Sequence, residues 1–157
     1  MLDLTLSCAA ATEALGARLA QVVQPGCILY LQGELGAGKT TLARGLLHGL
    51  GHRGAVKSPT YTLMEPYLLN AWRLFHWDLY RLSDPEELEF LGLRDQLDDD
   101  ALLVIEWPEH GWGALPPADL ALTLSYADTG RQCQLEPLSP VGVTLLAKLG
   151  SDHPTPV

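Results

Sequence analysis

Gly33-Glu34-Leu35-Gly36-Ala37-Gly38-Lys39-Thr40-Thr41 follows the apolar run Cys27-Ile28-Leu29-Tyr30-Leu31-Gln32 and precedes Leu42-Ala43-Arg44-Gly45-Leu46-Leu47. The first flank reads as a buried strand and the second has helical character. Strand, G-x-x-x-x-G-K-[ST] and helix in that order predict a phosphate-binding loop. Glycines at 33, 36 and 38 let consecutive N–H groups curl around an anion without a side chain between them. The helix start adds unsatisfied N–H groups and partial positive charge. Lys39 then places a full charge near the β and γ phosphates, and the Thr40 hydroxyl is positioned for Mg²⁺. The competing reading, a glycine turn that happens to precede a helix, needs a pattern expected by chance in roughly one chain in a hundred of this size.

Downstream, Val56-Lys57-Ser58-Pro59-Thr60-Tyr61-Thr62-Leu63 carries hydroxyls at alternate positions after Pro59, which biases Ser58 toward extended backbone. Two readings stand. The stretch is either a switch-like loop that senses a terminal phosphate or a proline-initiated start to a strand. Thr60 to Leu69 and Trp72 to Tyr80 are β-rich and predict a hairpin about Asn70-Ala71. Asp78 sits where the second strand ends, the edge at which ligands bind open α/β sheets; the alternative is a cap for the next turn. His76 reads as an alternating strand residue and not as a ligand. Asp84-Pro85-Glu86-Glu87 starts helical text that runs to Gly92, and Asp95-Gln96-Leu97-Asp98-Asp99-Asp100 reads as a solvated acidic loop.

Ala101-Leu102-Leu103-Val104-Ile105-Glu106-Trp107-Pro108 predicts a central strand covered on both faces and ending in a carboxylate. Behind a phosphate loop, such a carboxylate helps hold Mg²⁺, which demands hard oxygen ligands. Trp107 serves either as a cover or as a base-stacking surface. Leu120 to Tyr126 alternates, turns at Asp128-Thr129-Gly130 and returns as Arg131 to Leu135. At the front, Ser7 to Val23 reads as a helix capped by Ser7; at the back, Val141 to Leu149 reads as a short helix.

The chain has 157 residues, so the simplest expectation is one α/β domain over residues 1–150 with a loose tail at 151–157. Ten Lys and Arg stand against nineteen Asp and Glu, a formal charge of -9. That balance disfavours direct binding of a nucleic-acid backbone. A nucleotide is still accommodated, because the loop and helix end supply their field locally. The three cysteines, Cys8, Cys27 and Cys133, lack metal-ligand spacing and read as buried small hydrophobes in a reducing compartment. With neither a signal-like start nor a membrane-spanning run, a cytoplasmic protein is expected. The residues leave three readings open: an NTP hydrolase or switch with Lys39, Thr40, Asp78 and Glu106 around the phosphates, a small phosphotransferase, or a nucleotide-gated binding module with negligible turnover. No Asn-Lys-x-Asp stretch occurs, which favours an adenine nucleotide.

Five blocks in order, Gly33 to Thr41, Val56 to Leu63, Asp78-Leu79-Tyr80-Arg81-Leu82, Asp84 to Phe90 and Glu106-Trp107-Pro108, together closely resemble the TsaE (YjeE) family over residues 12 to 136. The resemblance implies a P-loop NTPase fold in which a mostly parallel core sheet is extended by antiparallel strands and flanked by helices. It implies an ATP- and Mg²⁺-dependent ATPase, weak alone, that supports threonylcarbamoyladenosine formation at position 37 of tRNAs reading codons that begin with A. The implied partners are the proteins TsaD and TsaB, whose assembly ATP hydrolysis resets, with tRNA met only through that complex. Matched by position, Lys39 is the phosphate lysine, Thr40 and Glu106 are Mg²⁺ ligands, and Asp78 orients or activates the attacking water. The roles of Asp78 and Glu106 are exchangeable on sequence alone. Glu34, Leu35, Gly36, Ala37, Gly38, Lys39, Thr40 and Thr41 would contact the nucleotide, joined by Thr60 of the switch-like loop, Trp107 and Arg131. Cys8 stands where relatives often carry a polar residue near the nucleotide.

Overall fold

The computed structural model describes residues 1–69, 72–98 and 100–151. Its elements are β1 (Leu2–Leu6), α1 (Ala9–Ala20), β2 (Ile28–Gly33), α2 (Lys39–Gly49), β3 (Met64–Leu69), β4 (Trp72–Asp78), α3 (Glu87–Phe90), α4 (Leu93–Asp98), β5 (Leu102–Glu106), a 3₁₀ turn (Pro108–Gly111), β6 (Leu120–Tyr126), β7 (Arg131–Pro137) and α5 (Pro140–Ser151). The strands form one sheet in the order β1-β7-β6-β2-β5-β4-β3. β6, β2, β5 and β4 run parallel; β7 and β3 pair antiparallel with the two edges of this core, and β1 pairs antiparallel with β7. The fold class expected from the sequence is the one observed.

Two buried layers flank the sheet, and strand alternation sorts side chains between them. Leu29, Leu31, Leu74, Leu102, Val104, Leu120 and Leu122 pack with Leu15, Leu19, Leu42, Leu46 and Leu47 of α1 and α2. Tyr30, Trp77, Leu103 and Ile105 face the other way, onto Leu88 of α3 and Leu93 of α4. β5 is buried at all five positions, as its unbroken apolar run requires for a central parallel strand.

Helices α1 and α2 cross through glycine. A methyl on Gly45 would lie 2.0 Å from the Glu13 carbonyl oxygen, and one on Gly16 would lie 2.2 Å from that of Leu42. Inside a helix, alanine is worth about 1 kcal/mol more than glycine. The clash decides the sign here, because its partner is main chain and cannot rotate away. Gly45→Ala is expected to destabilise the protein by about 1–3 kcal/mol net. That is a fall of roughly 2–12 °C in melting temperature, read by calorimetry.

Several boundaries differ from the sequence reading. β1 was not anticipated, although Leu2-Asp3-Leu4-Thr5-Leu6 alternates and buries Leu4 and Leu6; it pairs antiparallel with β7. α1 starts one residue late for a Ser7 cap: the extended residue at its N-cap is Cys8, whose carbonyl accepts from the N–H groups of Ala11 and Thr12. Cys27 and Cys133 are buried as expected, but this position leaves Cys8 exposed. Residues 59–63 are a turn, closed by Leu63 N–H to the Pro59 carbonyl at 2.8 Å, so the strand begins only at Met64. The acidic stretch is not a loop as far as Asp98. Leu93 and Leu97 recur at helical spacing against the core, Gln96 is buried, and its Oε1 accepts from Trp77 Nε1 at 2.9 Å. The hairpin turn at Asn70-Ala71, the position of Asp99 and the tail beyond Ser151 lie outside the described residues.

Candidate functional site

The connection from β2 to α2 makes the first wall of the site. Gly38 holds φ +109° at the N-cap of α2, a left-handed conformation that glycine adopts without strain. Gly33 holds φ +147°, and a Cβ there would sit 2.4 Å from the Leu124 carbonyl oxygen, so the loop can leave β2 against β6 only at glycine. Beyond it, Lys39 opens α2 and folds back over its own loop, donating to the carbonyl oxygens of Gly33 at 2.5 Å and Glu34 at 2.9 Å. The side chain is buried, and burial lowers the pKa of its ammonium, opposed chiefly by the charges of Glu106 and Asp78.

The second wall comes from the C-terminal ends of β4 and β5. Leu74, His76 and Asp78 share the sheet face that carries Leu102, Val104 and Glu106, the face covered by α2. The register pairs Asp78 directly with Glu106, which brings two carboxylates side by side, both almost fully buried, at the mouth of the loop. The Thr40 hydroxyl lies 3.4 Å from Glu106 Oε2. Asp78 Oδ1 accepts from the Tyr80 N–H at 3.0 Å, and Oδ2 accepts from the Thr60 hydroxyl at 3.1 Å. Asp78 therefore caps the following turn and faces the cleft as well; the two readings of the sequence are compatible. Burial raises its pKa, and the neighbouring Glu106 charge adds to the effect.

Thr60 is held from its other side by the Ser58 hydroxyl at 2.7 Å, so the loop after α2 does reach the carboxylates. Trp107 follows Glu106 with φ +56° and carries its indole over the Lys39 ammonium, 4.5 Å from the ring centroid. Tyr80 and His110 pack against that indole at 5.1 and 5.4 Å between centroids. The outcome is a cleft of about 200 Å³ lined by Leu35, Gly36, Gly38, Lys39, Thr40, Thr41, Thr60, Asp78, Glu106 and Trp107.

Not every residue singled out from the sequence joins this cleft. The Glu34 side chain is exposed, and its part is the carbonyl that receives Lys39. Ala37 and Arg131 line a second cleft of about 150 Å³ across the loop, with Cys8, Ala9 and Thr12. Arg131 stacks on Tyr126 at 4.4 Å and reaches the Gly36 carbonyl at 3.3 Å, while the Tyr126 hydroxyl donates to the Leu35 carbonyl at 2.5 Å. Tyr126 was missed by sequence reasoning, because nothing local shows that β6 lies beside β2. His76 was read correctly as a strand residue, but its Nε2 lies 2.5 Å from Glu106 Oε2, and both side chains are buried.

The donor set suits a small hard cation. Thr40 offers a hydroxyl and Glu106 and Asp78 offer carboxylate oxygens, the ligand type Mg²⁺ takes together with phosphate and water. Asp78 and Glu106 stand side by side in register, both almost fully buried, a concentration of negative charge that a cation would relieve.

A sequence profile described as "Threonylcarbamoyl adenosine biosynthesis protein TsaE" matches residues 6–133. The chain belongs to the TsaE family. A TsaE relative from Haemophilus influenzae, a "tRNA threonylcarbamoyladenosine biosynthesis protein", is 50% identical over 120 residues, 76% of each chain. The Bacillus subtilis TsaE is 36% identical over 116 residues, 74% of this chain and 72% of its own. In three dimensions, this TsaE-family chain superposes on the crystal structure of Bacillus subtilis YdiB with a TM-score of 0.82 and 26% identity, covering 96% and 94% of the two chains. The family's place is in tRNA threonylcarbamoyladenosine biosynthesis. Among the described residues, no helix is long and apolar enough to cross a membrane.

Proposed function

We propose that the chain binds ATP with Mg²⁺ in the cleft at the head of α2 and hydrolyses it, weakly alone, as the ATPase arm of threonylcarbamoyladenosine formation on tRNA. The observation that carries this reading is the in-register pair Asp78 and Glu106 facing Thr40 and Lys39 across one small cleft. Main-chain N–H groups of residues 34–41 bind the phosphates, and Lys39 turns its ammonium from the loop carbonyls to the β and γ oxygens. Thr40 and Glu106 would hold Mg²⁺, which supplies charge neutralisation of the transferring phosphoryl group. Asp78 orients the attacking water and accepts its proton, from a carboxylate held at the cleft mouth by the Tyr80 N–H and the Thr60 hydroxyl. Thr60, hydrogen-bonded to Asp78 Oδ2, ties the loop after α2 to the state of the γ-phosphate site. On the second side of the loop, Arg131 is available to the nucleotide, and Trp107 covers the phosphate end.

Family membership and charge support a reading of the partners. The chain acts with TsaD and TsaB, ATP turnover resetting their assembly, and meets tRNA only through them; a formal charge of -9 suits a subunit that contacts proteins and leaves the polyanion to others. Free Cys8, Cys27 and Cys133 fit a reducing, cytoplasmic site of action. Reconstitution tests the reading. ATP hydrolysis, followed by phosphate release, is expected to be slow for the chain alone and strongly stimulated by TsaB and TsaD together. Fast hydrolysis that the partners leave unchanged, or transfer of phosphate to a small metabolite, would reject it.

A further inference from the structure

His76 is a buried polar side chain for which the mechanism above has no task. Its register partner is Val104, so it sits one step along the α2 face from the pair Asp78 and Glu106. Diagonal neighbours on one sheet face are about 7–8 Å apart, a gap that a long side chain can bridge. Here the imidazole spans it: Nε2 lies 2.5 Å from Glu106 Oε2, closer than the Thr40 hydroxyl at 3.4 Å on the same oxygen. The ring is 0% exposed, and Nδ1 has no hydrogen-bond partner among the described residues.

The contact sets Nε2 as the donor side of the ring. An ionised carboxylate only accepts, so Nε2 carries the hydrogen. Nδ1 is buried and without a hydrogen-bond partner among the described residues, so the ring's one hydrogen bond is the one to Glu106. Glu106 gains an oriented donor on one oxygen. The terminal torsion of a glutamate is otherwise broad and roughly two-fold, so without that donor its carboxylate plane is poorly set.

We infer that His76 is a positioning residue: its Nε2–H locks the Glu106 carboxylate in the orientation that takes up the Mg²⁺ of the bound nucleotide. This rests on the reading that Glu106 serves the metal. Partners that hydrogen-bond a metal's ligands are typically worth about 10–100-fold in metal affinity or activity.

The test uses the full chain in three forms: wild type, His76→Leu and His76→Gln. Binding of a non-hydrolysable ATP analogue is measured by calorimetry with excess Mg²⁺ and with EDTA. For His76→Leu, affinity in EDTA is expected to stay within about threefold of wild type, while affinity with Mg²⁺ falls about 10–100-fold. The Mg²⁺ concentration giving half-maximal binding should rise by the same factor. Glutamine carries an N–H₂ at a reach close to that of Nε2, so His76→Gln is expected to recover most of the loss. Should His76→Leu fail to fold, His76→Asn, whose shorter amide cannot reach Glu106, replaces it as the loss variant. Equal losses with and without Mg²⁺, unchanged Mg²⁺ dependence, or a glutamine no better than leucine would each overturn the inference. If wild type itself binds the analogue equally well with and without Mg²⁺, the functional reading falls and takes the inference with it; if only the variants behave as wild type, the inference falls alone.

Discussion

Lys39→Ala should weaken binding of ATP with Mg²⁺ by about a hundredfold, with hydrolysis falling below detection at ordinary nucleotide concentrations. Its ammonium is the cation that opens α2 beneath the loop, buried between the glycine turn and the carboxylates. Hydrogen bonds to charged groups are worth about 1.5–3 kcal/mol each, and more where solvent is excluded. At least one such contact, to the β or γ phosphate, is lost without replacement. In the free protein the ammonium is satisfied by the carbonyls of Gly33 and Glu34, so binding exchanges main-chain acceptors for anionic ones. The gain therefore lies in charge pairing and not in satisfying an orphan donor.

Two measurements check the lysine. In calorimetry the variant's affinity should drop by the stated factor. In thermal melts, nucleotide at a hundred times the wild-type dissociation constant stabilises wild type by about 2.7 kcal/mol. The variant, a hundredfold weaker, would gain only about 0.4 kcal/mol from the same relation. At about 2–4 °C per kcal/mol, a shift of roughly 5–11 °C should collapse to about 1 °C. A variant that binds within threefold of wild type would mean that the phosphates lie elsewhere.

The legible parts of the molecule are those whose signal is local. The phosphate loop carries its strand, glycines and helix in one continuous stretch, residues 28–49, and β5 announces itself by an unbroken apolar run that ends in Glu106. What escaped depends on which strands become neighbours. His76 reaches Glu106 only because β4 lies beside β5, and Tyr126 clasps Leu35 only because β6 lies beside β2. Neither adjacency is written in the order of the chain. Two local signals were outweighed by others. The five-residue alternation of β1 was hidden at the start of the chain, and the charges of residues 95–100 drew attention from Leu93 and Leu97, whose helical spacing decides the structure. The separation of Arg131 from the main cleft has the same origin, since the β6–β7 hairpin comes up on the far side of the loop.

Asp78→Asn should leave nucleotide binding within about threefold of wild type and lower turnover by about 10²–10⁴, the range a positioned general base supplies. Asparagine is nearly isosteric, keeps an acceptor for the Tyr80 N–H and can still meet the Thr60 hydroxyl, so the loop geometry survives. What goes is a negative charge able to take a proton. The same substitution has a signature in stability. Burial and Glu106 raise the folded-state pKa of Asp78, so between the ordinary aspartate value and that raised one the native state holds more protons than the unfolded chain. Stability from this group is then present at low pH and lost as pH rises through the window. Asparagine carries no such loss. Melted in EDTA, Asp78→Asn should therefore exceed wild type in stability at pH 7, with the gap closing as pH falls toward 4. Glu106→Gln is the companion variant for the metal side. If Asp78→Asn abolished Mg²⁺-dependent binding while Glu106→Gln spared it, the two carboxylates would have to exchange roles: Asp78 would hold the cation, and Glu106, fixed by His76, would face the water.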